Sequence, residues 1–132
     1  MANDIRSQNV GRLLVTMPIA ANGSYPLDPI DTEGLAGIGF FMGGLYVMDG
    51  SYLLAFDESD NGVDWSEVPS ESLIGEAVVT GDITEGGWLE KVGLFSVKRY
   101  IRPKVVASGV TIGVGGIGVS SIEKPRILPE SQ

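Results

Sequence analysis

A single all-β domain, a jelly-roll-like sandwich of about eight antiparallel strands, is the fold this sequence predicts. Three observations point to it. Seven or eight short segments carry the apolar patterns of strands, and turn signals separate them about every 8–12 residues. Glycine and proline are abundant, at 19 and 7 of 132 residues, which suits turn-rich β architecture better than helices. The length is that of one domain and is sufficient to bury a core without covalent staples.

Residues 1–33 have weak periodicity and read as an N-terminal arm with one short strand, Arg12 to Thr16. Asn22-Gly23 is a turn signal, and Pro18, Pro26 and Pro29 keep the rest extended. The sandwich domain is expected over residues 34–119. Its first strand places Ala36, Ile38, Phe40 and Met42 on one face and Gly37, Gly39, Phe41 and Gly43 on the other. That bare second face predicts close approach by another backbone. As a helix the same segment would carry five glycines between residues 34 and 48, at about 1 kcal/mol each relative to alanine.

Asp49-Gly50 predicts a hairpin turn into a strand from Ser51 to Asp57, with Tyr52, Leu54 and Phe56 inward. A polar turn over 57–64 follows, then a single helical turn within Pro69 to Ile74. Short strands are expected at Ala77 to Thr80 and Trp88 to Val92, flanking an Asp-Ile-Thr-Glu-Gly-Gly turn. Leu94 to Ala107 is the longest strand pattern: Phe95, Val97, Ile101 and Val105 mark one face, and Ser96, Lys98, Tyr100, Arg102 and Lys104 the other. Pro103 cannot donate a ladder hydrogen bond, which predicts an edge position or a break. Val110, Ile112 and Val114 form a last strand, and residues 120–132 read as an extended C-terminal tail.

Composition narrows the chemistry. The chain has no cysteine and no histidine, so disulfides, thiolate chemistry and histidine general bases are absent. Asp4, Arg6, Arg12 and Pro18 interrupt the one early apolar run, so neither a signal peptide nor a membrane span is expected. The net charge of −8 argues against nucleic acid as the main partner. The charge is also uneven: residues 1–90 hold two basic and fifteen acidic side chains, residues 91–132 seven and two. Acidic and basic regions could meet between copies or with a partner, or simply be solvated.

No motif carries catalysis. Gly113 to Gly118 matches G-x-G-x-x-G, but only 14 residues follow, too few for the helix and second strand that a dinucleotide site needs. A glycine-rich final strand is the expectation. Asp57, Ser59 and Asn61 match half of a calcium loop, yet Val68 stands where the bidentate glutamate belongs, so a β-turn is expected there in which Asp60, Asn61 and Gly62 supply side-chain-to-backbone bonds and positive φ. No carboxylate pair, activated serine, metal set or cofactor site is expected, and the chain does not read as an enzyme. Trp65 and Trp88 are expected to cover the core rim. Lys98, Tyr100, Arg102 and Lys104 are the candidate interaction residues. They form either a docking stripe for an acidic protein surface or an edge strand guarded by positive charge.

Over residues 34–119 the chain resembles the small decoration, or cement, proteins of tailed-phage heads. The resemblance rests on the glycine-rich early strand, the turn Ser59-Asp60-Asn61-Gly62-Val63-Asp64-Trp65, the segment Ser72-Leu73-Ile74-Gly75 and the strand from Ser96 to Arg102. It implies a jelly roll, often trimeric, on the outer capsid surface of the virion, clamping neighbouring major capsid subunits after synthesis in the host cytoplasm. The implied partners are the major capsid protein and further copies of the chain, with no nucleic acid and no membrane. Pro103 and the long N-terminal arm depart from that pattern. Ser59 to Trp65 and Arg99 to Arg102 also resemble parts of discoidin-like sandwiches, which implies carbohydrate or receptor binding, although the chain is short for that family and lacks its terminal cysteines. A head-completion or tail structural protein is a third expectation.

Overall fold

The computed structural model describes residues 10–95 and 97–125. Eleven strands run through them: β1 (Val10–Ile19), β2 (Gly23–Pro26), β3 (Ile30–Asp31), β4 (Leu35–Gly44), β5 (Ser51–Ser59), β6 (Ser66–Glu67), β7 (Leu73–Ile74), β8 (Val78–Thr80), β9 (Trp88–Leu94), β10 (Tyr100–Ser108) and β11 (Val114–Pro125). One short 3-10 turn, Ser70–Ser72, precedes β7, where a helical turn was expected. One sheet has the order β1-β11-β4-β9-β7; the other runs β2-β10-β5-β6, with β3 also pairing β10 and β8 also pairing β5. Every strand pairing is antiparallel. Counting the eight strands of three or more residues in chain order, first, eighth, third and sixth lie side by side in one sheet. Second, seventh, fourth and fifth do so in the other. This is the double Greek key of a jelly roll.

The alternation in β4 and β5 builds the core. Ile38, Phe40 and Met42 of β4 are buried, as are Tyr52, Leu54 and Phe56 of β5, as their spacing predicts. Phe40 and Phe56 meet between the sheets with ring centroids 4.8 Å apart and planes tilted by 47°, a favoured aromatic geometry. Ile101, Val105, Ile117 and Val119 complete this layer from β10 and β11, all with no exposed surface.

Several connections differ from the sequence reading. Residues 10–31, expected as an arm with one strand, supply β1, β2 and β3 to the two sheets. The expected tail also begins as structure, since β11 continues to Pro125 and pairs there with Leu35; residues 126–132 lie outside the described residues. Val110 and Ile112 are not in the last strand but in the turn before it, with Ile112 exposed.

Asp49-Gly50 does not close a hairpin, because β4 and β5 belong to different sheets. The link crosses the sandwich, and Asp49 anchors it: its carboxylate accepts backbone N–H bonds from Thr111, Ile112 and Gly113 at 2.8–3.1 Å. Gly50 has the positive φ expected of it, at 93°. Those bonds, led by the one from Gly113, hold the Asp49 carboxyl below its usual pKa of 3.8. A depressed folded-state pKa stabilises the fold above the unfolded value and loses that contribution as pH falls through the folded value. Asp49→Asn is therefore expected to lower the melting temperature at neutral pH and to flatten its decline below pH 4. Thermal melts of both proteins between pH 7 and pH 2 check this.

The segment from Leu94 to Ala107 is not one strand. β9 ends at Leu94 in one sheet, β10 begins at Tyr100 in the other, and residues between them cross over. Phe95 consequently leaves the apolar face and is exposed, while Val97 still packs on the core; Ser96 lies outside the described residues. Pro103 neither ends β10 nor lies on an edge strand. It stands opposite Phe56 in β5, and Phe56 gives its own carbonyl to Val68 on the far side of β5. Pro103 is thus at a position that makes no ladder bonds with β5. Its carbonyl accepts from Leu27, in the gap where the outer partner changes from β3 to β2. The missing N–H faces that gap, so no bond is lost.

Candidate interaction surface

Three of the four candidate residues share one face of a strand, and Lys98 lies in the crossover before it. Tyr100, Arg102 and Lys104 point outward from β10, in the middle of the second sheet. Asp57 lies directly across from Arg102 on β5. Its carboxylate accepts from Arg102 Nη2 at 3.2 Å and from Lys104 Nζ at 3.1 Å. The Arg102 guanidinium also lies 4.4 Å from the centre of the Trp65 ring, a cation–π stack. Lys98 reaches Asp60 at 3.7 Å. Arg99 makes two bonds to Asp31 and one to Glu33, and the Arg99 bond holds the Asp31 carboxyl below its usual range. Much of the charge imbalance along the chain is therefore met within one molecule, with cations of the last third seated on carboxylates of the first half.

The turn at 59–65 explains why Trp65 reaches this row. Ser59 Oγ accepts from the backbone N–H of Asn61 and Gly62, and Asn61 Oδ1 accepts from those of Val63 and Asp64. Gly62 takes φ of 78°. Asn61 and Gly62 play the expected parts, whereas Asp60 turns to Lys98 and the missed Ser59 takes its place. The half calcium motif is spent in the same way: Asp57 faces two cations and Ser59 faces backbone donors. Among the described residues no group of three or more acidic side chains is placed to hold a metal ion, and no helix is long and apolar enough to cross a membrane.

Asp57 is the keystone of the row. Its side chain is only 14% exposed, so Asp57→Ala leaves two neighbouring cations without a partner. A hydrogen bond to a charged group contributes about 1.5–3 kcal/mol, and a loss of that size is expected in a urea melt. Asp57→Glu should recover part of it.

The outer face of the first sheet is a different surface. Phe41 stands on β4 with Gly39 and Gly43 on either side of it along the strand. A trough of about 700 Å³ lies on one side of the ring, floored by Gly43, Gly44 and Gly116 and walled by Trp88 and Leu89. A second, of about 400 Å³, lies on the other, over Gly37, Gly39 and Gly93, walled by Ile74 and Ile122. Both are open, and among the described residues no segment lies over them to make the close approach that the bare face predicted. Leu89, Ile74 and the nearby Leu45 are each more than 60% exposed. Trp88 packs against the core rim as expected, but its buried Nε1 has no hydrogen-bond partner. Alternating glycine and Phe41 was the sequence signal for this face; its extent was hidden, because β9 and β11 pave it from distant parts of the chain.

A jelly-roll sandwich with one charge-paired face and one glycine-paved apolar face is the class these observations define. No family model matches the chain, and no curated protein sequence matches it. Among solved structures the chain is similar to the crystal structure of PBSX exported protein XepA, with a TM-score of 0.60 and 15% identity. The match covers all of this chain and 44% of that one, so the chain spans less than half the length of that protein. At this identity the likeness is one of fold.

Proposed function

We propose that this chain is a structural protein of a bacteriophage virion. It decorates the outer surface of the capsid as a homotrimer and bridges neighbouring major capsid subunits. The observation that carries this reading is the jelly-roll order of the two sheets. That is the fold implied by the resemblance to phage-head decoration proteins and the fold shared with the PBSX protein. The role needs no chemistry: a bound oligomer adds buried area across subunit boundaries, and attachment at several points raises avidity well above that of one contact.

The pairing of Arg102 and Lys104 with Asp57 alters how the candidate stripe is tested. Arg102→Glu would set a carboxylate against Asp57 and disturb the fold itself. Lys98, 45% exposed and only loosely held by Asp60, is the clean probe. Lys98→Glu is expected to weaken attachment to heads with the melting temperature unchanged; an unchanged affinity would remove the stripe from the docking surface. The reading as a whole is tested by quantitative mass spectrometry of purified virions of the encoding phage. Tens to hundreds of copies per particle, in fixed ratio to the coat protein, would support it. Absence from the particle would refute it.

A sugar- or receptor-binding module is the second reading, because Tyr46 and Trp88 both line the larger trough. A glycan hit abolished by Tyr46→Ala would favour it.

A further inference from the structure

We infer that the glycine-paved face of the first sheet is where a second copy of this chain seats. The relief of the face carries the inference first. Phe41 forms a ridge between two troughs, and all three lie on one surface. One copy thus presents both the apolar knob and the glycine-floored hole that receives it. Isolated exposed apolar side chains are ordinary, but a contiguous apolar patch of this kind marks an interface.

Area and charge select the occupant. Five strands at about 4.8 Å spacing and about seven residues of length cover about 550 Å² of sheet before side-chain relief is added. Two copies together bury about 1,100 Å², which clears the roughly 1,000 Å² that a biological interface with good complementarity needs. Lys91 projects from this face beside Phe41, exposed and with no carboxylate partner among the described residues. The net charge of −8 makes a second copy an acidic partner for this face. The opposite sheet cannot serve equally well, because its cations are already paired with Asp57, Asp60 and Asp31.

This inference concerns the contact between copies and stands independently of what the assembly binds. Two glycines make a clean test. A Cβ built on Gly37 or Gly116 meets no atom within 4 Å, and neither residue has positive φ. Gly37→Val with Gly116→Val fills both troughs while leaving the protomer undisturbed, and valine suits a strand better than glycine. The full-length chain and this variant are compared by light scattering and native mass spectrometry at high micromolar concentration, with circular dichroism and melting as controls for folding. The wild type is expected to form a discrete oligomer, and the filled variant to weaken it at least tenfold with its melting curve retained. Phe41→Ser removes the ridge instead of filling the troughs and should weaken assembly equally. A monomeric wild type overturns the inference. So does an oligomer whose mass neither variant changes. Capsid binding by a monomeric wild type would overturn this inference and the homotrimer, and would leave capsid decoration itself intact.

Discussion

Replacing Gly113 with alanine is expected to cost about 2–6 kcal/mol, a large part of the roughly 5–15 kcal/mol that holds a domain of this size together. Gly113 takes φ of 99°, which an alanine adopts only under strain. A Cβ at this position also runs into the carbonyl oxygen of Ile19 and the Cα of Ala20. Neither is a movable side-chain end. Ile19 is 1% exposed and lies at the end of β1, opposite Val114. Gly113 also gives its N–H to Asp49 at 2.8 Å and its carbonyl to Met48 at 3.1 Å, so displacing it loosens the crossing between the sheets. Backbone strain of about 1–3 kcal/mol adds to about 1–3 kcal/mol for forced overpacking. Gly109→Ala is the control. Gly109 also has positive φ, at 66°, but a Cβ there meets nothing within 4 Å, so only the smaller strain cost should appear. Equal denaturation midpoints for the two variants would show that the contact with Ile19 carries no weight.

Truncating Phe40 to alanine is expected to destabilise the protein by about 3–5 kcal/mol. Phe40 has no exposed surface, and its ring meets that of Phe56 from the opposite sheet. The cavity opens at the middle of the sandwich, where both sheets contribute and where extended strands cannot collapse to fill it. Phe56→Ala should behave alike. Because the rings touch, the double variant should fall short of the summed single losses by about 0.5–1.5 kcal/mol. Strict additivity in chemical denaturation would mean that the ring pair contributes only through its separate burial.

Much of the fold was legible because period-two patterning acts locally. The inward residues of β4 and β5 follow from alternation alone, and the glycine-rich run at 113–118, read as strand, enters β11 at Val114. What was hidden depends on which sheet a strand joins. Asp49-Gly50 has the residues of a hairpin turn, yet here they carry the chain between sheets, and the Asp49 carboxylate binds a loop more than sixty residues away. Pro103 signals an edge if a strand has one uniform partner on each side; β10 has two short partners on one side, and the proline falls between them. The basic row was found, but not its neutralisation. Asp57 meets Arg102 through register across forty-five residues of sequence, and no spacing rule reports that. The glycine face was seen along one strand, whereas the troughs require β9 and β11 beside it.

The most direct test of the central claim is binding of the purified chain to expanded heads of the encoding phage stripped of their outer decoration. Co-sedimentation should show saturable attachment at a fixed number of copies per coat subunit. Unexpanded heads should bind far less, and decorated heads should gain resistance to heat or chelation. Failure to bind expanded heads at low as well as physiological salt would contradict the account.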